Sequence, residues 1–144
     1  KLLDLIFCVL KEKLPFFKTK ESEYLKGVIS KAHKNNNLIS IVAFVDGELV
    51  GGLFGLKYHN HVVYLKGACY EDYTKDGMMY YLMHSFSEKC LSEGLTFDFG
   101  GSNVDGVRYF NQKLGGTDVF YNSYSWDNSP KWFRVLRKIK HAIK

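Results

Sequence analysis

Residues 95–116 read LTFDFGGSNVDGVRYFNQKLGG, and the arrangement of the rest of the chain follows from them. Leu95, Phe97 and Phe99 alternate with Thr96 and Asp98, which makes a short strand with one apolar face and one face that carries a carboxylate. Gly100 and Gly101 allow a tight turn or a close approach, Asn103 can cap a following helix, and Gly115 stops that helix. A polar strand end beside a glycine turn is a frequent ligand position in α/β folds.

Upstream, Leu2, Leu3, Leu5, Ile6, Val9, Leu10 and Leu14 recur at helical spacing, and Pro15 ends the helix they predict. A second helix is predicted over 22–34, with Leu25, Val28, Ile29 and Ala32 inside. Strands over 38–45, 48–58 and 61–66 then form an antiparallel meander through the turns Asp46-Gly47 and His59-Asn60. Gly51, Gly52 and Gly55 in the middle strand permit a bulge or a close approach by another group. A polar loop over 67–77 leads into a long helix, from 75 or 76 to 93, whose inner side is Met79, Leu82, Met83, Phe86 and Cys90. Beyond the central strand and its helix, 119–125 reads as a further strand. Ser129-Pro130 opens a last helix with Trp132, Phe133, Val135, Leu136 and Ile139 on its apolar face.

The 144 residues suit a single domain over 1–144, and with 46% hydrophobic and 24% charged residues the composition is that of a globular chain rather than a disordered one. The net charge is +5, and Lys131, Arg134, Arg137, Lys138, Lys140 and Lys144 concentrate it at the end. Such a run attracts phosphate-bearing partners, but no zinc-finger or RNA-binding signature accompanies it, and DNA is not an expected partner. Cys8, Cys69 and Cys90 are odd in number and widely spaced, as expected of reduced thiols in a cytoplasmic protein. The apolar start is interrupted by Asp4 and too short for a transmembrane segment. His59 and His61 read as turn residues, so no metal is expected. The chain begins at Lys1 rather than Met, as a processed product or a piece of a longer chain would.

The order helix, helix, three antiparallel strands, long helix, strand, helix, strand, helix resembles the GCN5-related N-acetyltransferase (GNAT) superfamily. Three stretches carry the resemblance: IVAFVDGELVGGLFGLKY at 41–58, YLKGACYED at 64–72, and TFDFGGSNVDGVRYFNQKLGG at 96–116. Within the superfamily the chain is most similar to the FemA/FemB/FemX-like peptidoglycan bridge acyltransferases, and specifically to the second of their two tandem domains. The resemblance implies an α/β (α+β) fold with a mixed, mostly antiparallel twisted sheet flanked by helices. It implies transfer of an acyl or aminoacyl group from acetyl-CoA, another acyl-CoA or aminoacyl-tRNA to an amine, with no permanently bound cofactor. The acceptor is then a small molecule or a peptidoglycan precursor. The alternative is a noncatalytic half that packs against a preceding GNAT-like domain, or against another copy in a homo-oligomer.

The resemblance also assigns residues. The donor's arm lies along the strand that carries Leu65, Lys66, Gly67 and Ala68, and its pyrophosphate lies on the loop with Lys75, Gly77 and Met78. Acid–base work falls to Asp98, Glu71, Asp72 and Tyr109, and substrate contacts to Tyr70, Tyr73, Arg108 and Asn111. Two positions depart from the superfamily pattern. The loop offers only Gly77, preceded by Asp76, and Asn111 stands where a general-acid Tyr is usual. All of this requires the sheet to open beside residues 62–68, leaving a groove above Asp98.

Overall fold

The computed structural model describes residues 1–13, 19–101, 103–130, 132–134 and 136–137. The expected helix stop at Pro15, and Lys131, Val135, Lys138, Ile139, Lys140 and Lys144 of the final helix, lie outside the described residues. The elements are α1 (Leu2–Lys13), α2 (Thr19–Lys34), β1 (Leu38–Val45), β2 (Glu48–Tyr58), β3 (His61–Cys69), α3 (Glu71–Lys75), α4 (Met78–Ser92), β4 (Thr96–Asp98) and α5 (Asp105–Lys113). Among the described residues no helix is long and apolar enough to cross a membrane.

One sheet in the order β1-β2-β3-β4 organises these elements. The first three strands pair antiparallel, and β4 joins β3 in parallel after a crossover through α3 and α4. The Asp46-Gly47 turn has positive φ at both residues, the geometry that matches strand twist in a two-residue hairpin. Helices cover both faces. On one, Leu2, Leu5, Ile6, Val9 and Leu10 of α1 pack with Ile29, Phe54 and Ala68. On the other, Leu82, Met83, Phe86 and Cys90 of α4 cover Val50, Leu53, Val62 and Leu95. Each fully buried aliphatic side chain in these layers contributes about 1.5–3 kcal/mol. Gly55 shows why the middle strand carries glycine: a Cβ there would lie 2.7 Å from the Phe86 ring and 2.8 Å from Val62.

Several expectations are corrected. The second helix starts at Thr19 rather than 22, since nothing between Thr19 and Ser22 interrupts it. The third strand continues to Cys69, because Gly51 and Gly52 let Cys69 and Ala68 pair closely with β2. The rest of the expected polar loop contains α3, whose first turn closes when the Tyr73 and Thr74 amides donate to the Tyr70 carbonyl at 3.1 Å each. The long helix therefore begins at Met78, after Gly77 in the left-handed region. The central strand is limited to Thr96–Asp98, and α5 starts after Val104 with no side-chain cap, so Asn103 does not act as one. Residues 119–125 form no strand, and Val119, Phe120, Tyr121 and Tyr124 are exposed rather than packed on the sheet. A helical turn does begin at Pro130, with the Phe133 and Arg134 amides donating to its carbonyl, but Trp132, Phe133 and Leu136 are exposed.

Candidate functional site

Parallel strands stay together only while both continue. Here β4 pairs with β3 at three positions, His61 with Thr96, Val62 with Phe97 and Val63 with Asp98, and then leaves the sheet. The departure is local chemistry: Asp98 Oδ1 accepts the Gly100 N–H at 2.8 Å, and Gly100 takes φ +83°. β3 runs on to Cys69, still paired with β2 on its other side. A wedge therefore opens between residues 64–69 and the turn after β4. The opening expected beside residues 62–68 is therefore shifted: Val62 and Val63 are still paired with β4, and β3 runs without it only from Tyr64.

A bulge marks its apex. The β2–β3 register passes from Phe54–Lys66 to Gly55–Tyr64, leaving Leu65 as the extra residue. Beyond the bulge the backbone directions are determined by one bond. The Tyr70 N–H donates to the Val50 carbonyl on β2, so by alternation Ala68 and Lys66 also turn toward β2, while Gly67 and Cys69 turn their N–H and C=O groups into the wedge. No strand among the described residues pairs with that edge. Apart from the Gly67 N–H, which the Tyr64 hydroxyl engages, it offers donors and acceptors to an extended amide-bearing chain.

The side chains near the edge divide between the two faces. Leu65 and Ala68 pack in the α1 layer, and Lys66, opposite Phe54, is on that same face. Gly67 is opposite Leu53, where a Cβ would come within 2.6 Å of the Leu53 Cβ, and it belongs to the α4 face. Tyr64 is on the α4 face too, packed against that core, and its hydroxyl interacts with the Gly67 backbone. Burial pushes the Tyr64 phenol above its ordinary value, partly offset by the Gly67 contact, so it stays protonated through neutral pH. The sequence reading did not single out Tyr64. An aromatic inside a strand looks like core, and only the wedge makes its hydroxyl notable.

The other predicted residues fall in three places. At the far end of the wedge, Glu71 and Asp72 are exposed in the first turn of α3, Tyr70 precedes them, and Tyr73 packs inward. Thr74 Oγ1 lies 3.2 Å from Cys69 Sγ, tying α3 to the end of β3. Lys75 and Asp76 are exposed, and Gly77 and Met78 begin α4 with Met78 half-buried. Asp98 is exposed at the wedge apex and engaged by Gly100. On α5, Arg108 is bound to Asp118: its Nε donates at 2.9 Å, Nη2 contacts the same oxygen, and Gln112 Nε2 donates to it at 3.1 Å. The pair holds the Asp118 carboxyl below its usual range and raises Arg108. Tyr109 is exposed beneath Lys113 Nζ, 4.8 Å from its ring centroid. Asn111 is buried, and its carbonyl accepts the Leu114 and Gly116 amides. The structure thus gathers residues 64–69 and Asp98 around the wedge, with 70–72 at its far end, and leaves Tyr109 and Arg108 on the outer side of α5. Among the described residues no three His, Cys, Asp or Glu side chains stand together to hold a metal ion.

Comparison with known proteins extends the picture. Residues 1–111 match the model of the family described as Acetyltransferase (GNAT) domain. Among solved structures, the chain is similar to an aminoglycoside acetyltransferase from an uncultured soil metagenomic sample, crystallised with sisomicin. The identity is 20% and the TM-score 0.56, over 88% of this chain and 86% of that one. Another soil metagenomic aminoglycoside acetyltransferase gives 16% identity and a TM-score of 0.55 over 88% of each chain. The aminoglycoside acetyltransferase AAC(6')-Iy, in complex with a bisubstrate analogue of CoA and acetylneamine, gives 16% and 0.50 over 80% of this chain and 86% of that one. At these identities the likeness is one of fold. No curated protein matches the chain.

Proposed function

The chain belongs to the acetyltransferase (GNAT) domain family, and from that premise we propose that it moves an acyl group from an acyl-CoA thioester to the amine of a small molecule. The observation that carries the proposal is the unpaired edge of β3 beside β4. An extended pantetheine arm carries amides that can complete the ladder along the Gly67 carbonyl and Cys69. A backbone N–H next to the Leu65 bulge then meets the thioester carbonyl oxygen. One such donor aimed at a developing oxyanion contributes about 10²–10³ in kcat.

The acceptor's nitrogen lone pair forms the new N–C bond, the C–S bond breaks, and the departing thiolate takes a proton. Tyr64 is the donor this reading favours, because its protonated hydroxyl adjoins the Gly67 backbone in the wedge. Glu71, Asp72 and Asp98 are the carboxylates left to receive the amine's proton, and the exposed acidic residues of α3 attract a cationic amine. Aminoglycosides, the substrates that the structural neighbours are named for, are amines of that kind. Lys75 and the first-turn amides of α4 meet the donor's pyrophosphate.

The finer reading retains the FemA/FemB/FemX-like kinship. In it residues 1–144 are one domain, the second of a tandem in a cytoplasmic protein, acting on a peptidoglycan-precursor amine with charged tRNA as the alternative donor. A noncatalytic half-domain is the second reading. It is favoured by α3, with Glu71 and Asp72, and by Asp76 just after it, occupying the loop where glycines would cradle pyrophosphate, and by Asn111 in place of Tyr. Calorimetric titration with acetyl-CoA, followed by thiol-release assays across a panel of amines that includes aminoglycosides, separates the readings. Saturable acetyl-CoA binding with amine-dependent thiol release is expected. A chain that binds neither acetyl-CoA nor charged tRNA is not a transferase on its own.

A further inference from the structure

The wedge is open toward both faces of the sheet, and the two faces differ. On the α4 face it is bordered by Tyr64, with Phe97 and Phe99 in the same apolar layer. Side chains alternate along β4, so with Phe97 turned to α4 its neighbour Asp98 stands on the α1 face, beside Val63. Lys66 stands on that face too, across the wedge. It is three residues beyond Val63, one of them the Leu65 bulge, and at the usual rise of a strand its backbone is about 10 Å from that of Asp98.

Among the described lysines, Lys57 and Lys66 are the half-buried ones. Glu93 is held below its usual range first by its hydrogen bond from Lys89 and then by the charges of Lys89 and Lys57, so Lys57 has a carboxylate in its field. Lys66 has no such partner: no ion pair or hydrogen bond joins its ammonium to another side chain among the described residues. Its neighbours on the α1 face are apolar, Phe54 across the ladder and Leu65 and Ala68 along the strand. An ammonium held this way costs free energy until an anion meets it. The donor does not bring that anion, because its phosphates belong at Lys75 and the start of α4, beyond the far end of β3. On the reading that the chain is an amine acyltransferase, Tyr64 and the α4 core close one side of the thioester, and the acceptor arrives on the other, between Asp98 and Lys66. We propose that this acceptor is an amine that also bears a carboxylate, an amino acid or a close relative, with Asp98 receiving its ammonium and Lys66 its carboxylate. One ammonium matches the single charge of a carboxylate, whereas a phosphate monoester carries about −1.5 to −2. An aminoglycoside, cationic and without an acid group, brings a like charge to Lys66.

The test measures thiol release by the full chain at saturating acetyl-CoA, with glycine, β-alanine and γ-aminobutyrate each compared with its own carboxamide. In the parent at least one acid is expected to exceed its carboxamide about tenfold in kcat/KM, within the range for a hydrogen bond to a charged group. That ratio is expected to fall to near one in Lys66→Met and to survive in Lys66→Arg. Lost packing would not do this, since it lowers acid and carboxamide together. Calorimetric titration of the same compounds onto the CoA-loaded chain repeats the comparison without turnover. Acid-selective binding that Lys66→Met removes, with no thiol released, would uphold the role of Lys66 and overturn acyl transfer. Turnover with ratios near one, a ratio that Lys66→Met leaves intact, or sisomicin preferred to every acid would overturn the role of Lys66 and leave acyl transfer standing. Neither binding nor release with any of the acids would overturn it as well.

Discussion

Tyr64 and Gly100 stand on either side of the point where the sheet divides: a Cβ placed on Gly100 would lie 3.9 Å from the Tyr64 carbonyl oxygen. Above that point β3 and β4 are paired, and below it β3 continues alone. The glycine turn and the bulge at Leu65 thus form the apex of one wedge, although they are far apart in the chain.

Replacing Tyr64 by Phe removes the hydroxyl and keeps the ring in the α4 core. The expected result is a fall in kcat of about 10²-fold with KM for acetyl-CoA nearly unchanged, within the range for loss of a general acid. Stability should respond in the opposite sense at high pH. Because the phenol's pKa is raised on folding, its stabilising protonated state is complete below the ordinary tyrosine value of 10.0 and is lost as pH rises through the folded value. Tyr64→Phe lacks that alkaline loss, which urea titrations at neutral and alkaline pH would reveal.

Asp98 has two candidate duties, and two substitutions separate them. Asn keeps an oxygen to accept the Gly100 N–H, whereas Ala does not. Asp98→Ala is expected to destabilise by about 1 kcal/mol and Asp98→Asn by less, since only the first leaves that amide without its side-chain acceptor. If Asp98 also takes the amine's proton, Asp98→Asn loses activity while keeping stability. Equal activity in Asp98→Asn and parent would leave the carboxylate a turn-maker alone.

The sequence was most readable where signals are local. Alternation and Asp46-Gly47 placed β1 and β2 at their observed ends, and the apolar spacing of α1 and α4 identified the helices that cover the sheet. The wedge was anticipated through a family resemblance, but its apex was not, because the Leu65 bulge is a register between strands and leaves no mark in either one. Glu71–Lys75 looked like loop because five residues, four of them polar, cannot hold a helix unaided; the inward packing of Tyr73 and the Thr74–Cys69 contact support it. The alternation at 119–125 is real, but alternation cannot say where a strand's partner is.

Gly55→Ala tests how tightly α4 sits on the sheet. The new methyl would lie 2.7 Å from the Phe86 ring and 2.8 Å from Val62, both buried, so one of them must move. A loss of about 1–3 kcal/mol is expected from such overpacking. Phe86→Leu is destabilising by itself, yet it vacates the space the methyl needs. The double variant should therefore be more stable than the sum of the two losses predicts, with a coupling of at least about 0.5 kcal/mol between contacting residues. Strict additivity in chemical denaturation would mean that the strand, and not the ring, takes up the strain.

Asp127, between the exposed stretch 119–126 and the helical turn at Pro130, has its pKa lowered from 3.8 to about 2. The Ser129 side-chain hydrogen bond is the largest cause, then the Ser129 backbone N–H, then Arg137. A carboxylate depressed in this way adds stability that is present above 3.8 and lost as pH falls through about 2, so the Asp127 contacts with Ser129 and Arg137 should outlast most acid conditions. Carboxyl-carbon NMR titration of three chains checks the order of causes. Ser129→Ala is expected to raise the midpoint more than Arg137→Gln does, and both should stay below 3.8, because the backbone N–H remains in each. A larger shift in Arg137→Gln would make the ion pair, rather than the serine, the main hold on the Asp127 carboxylate.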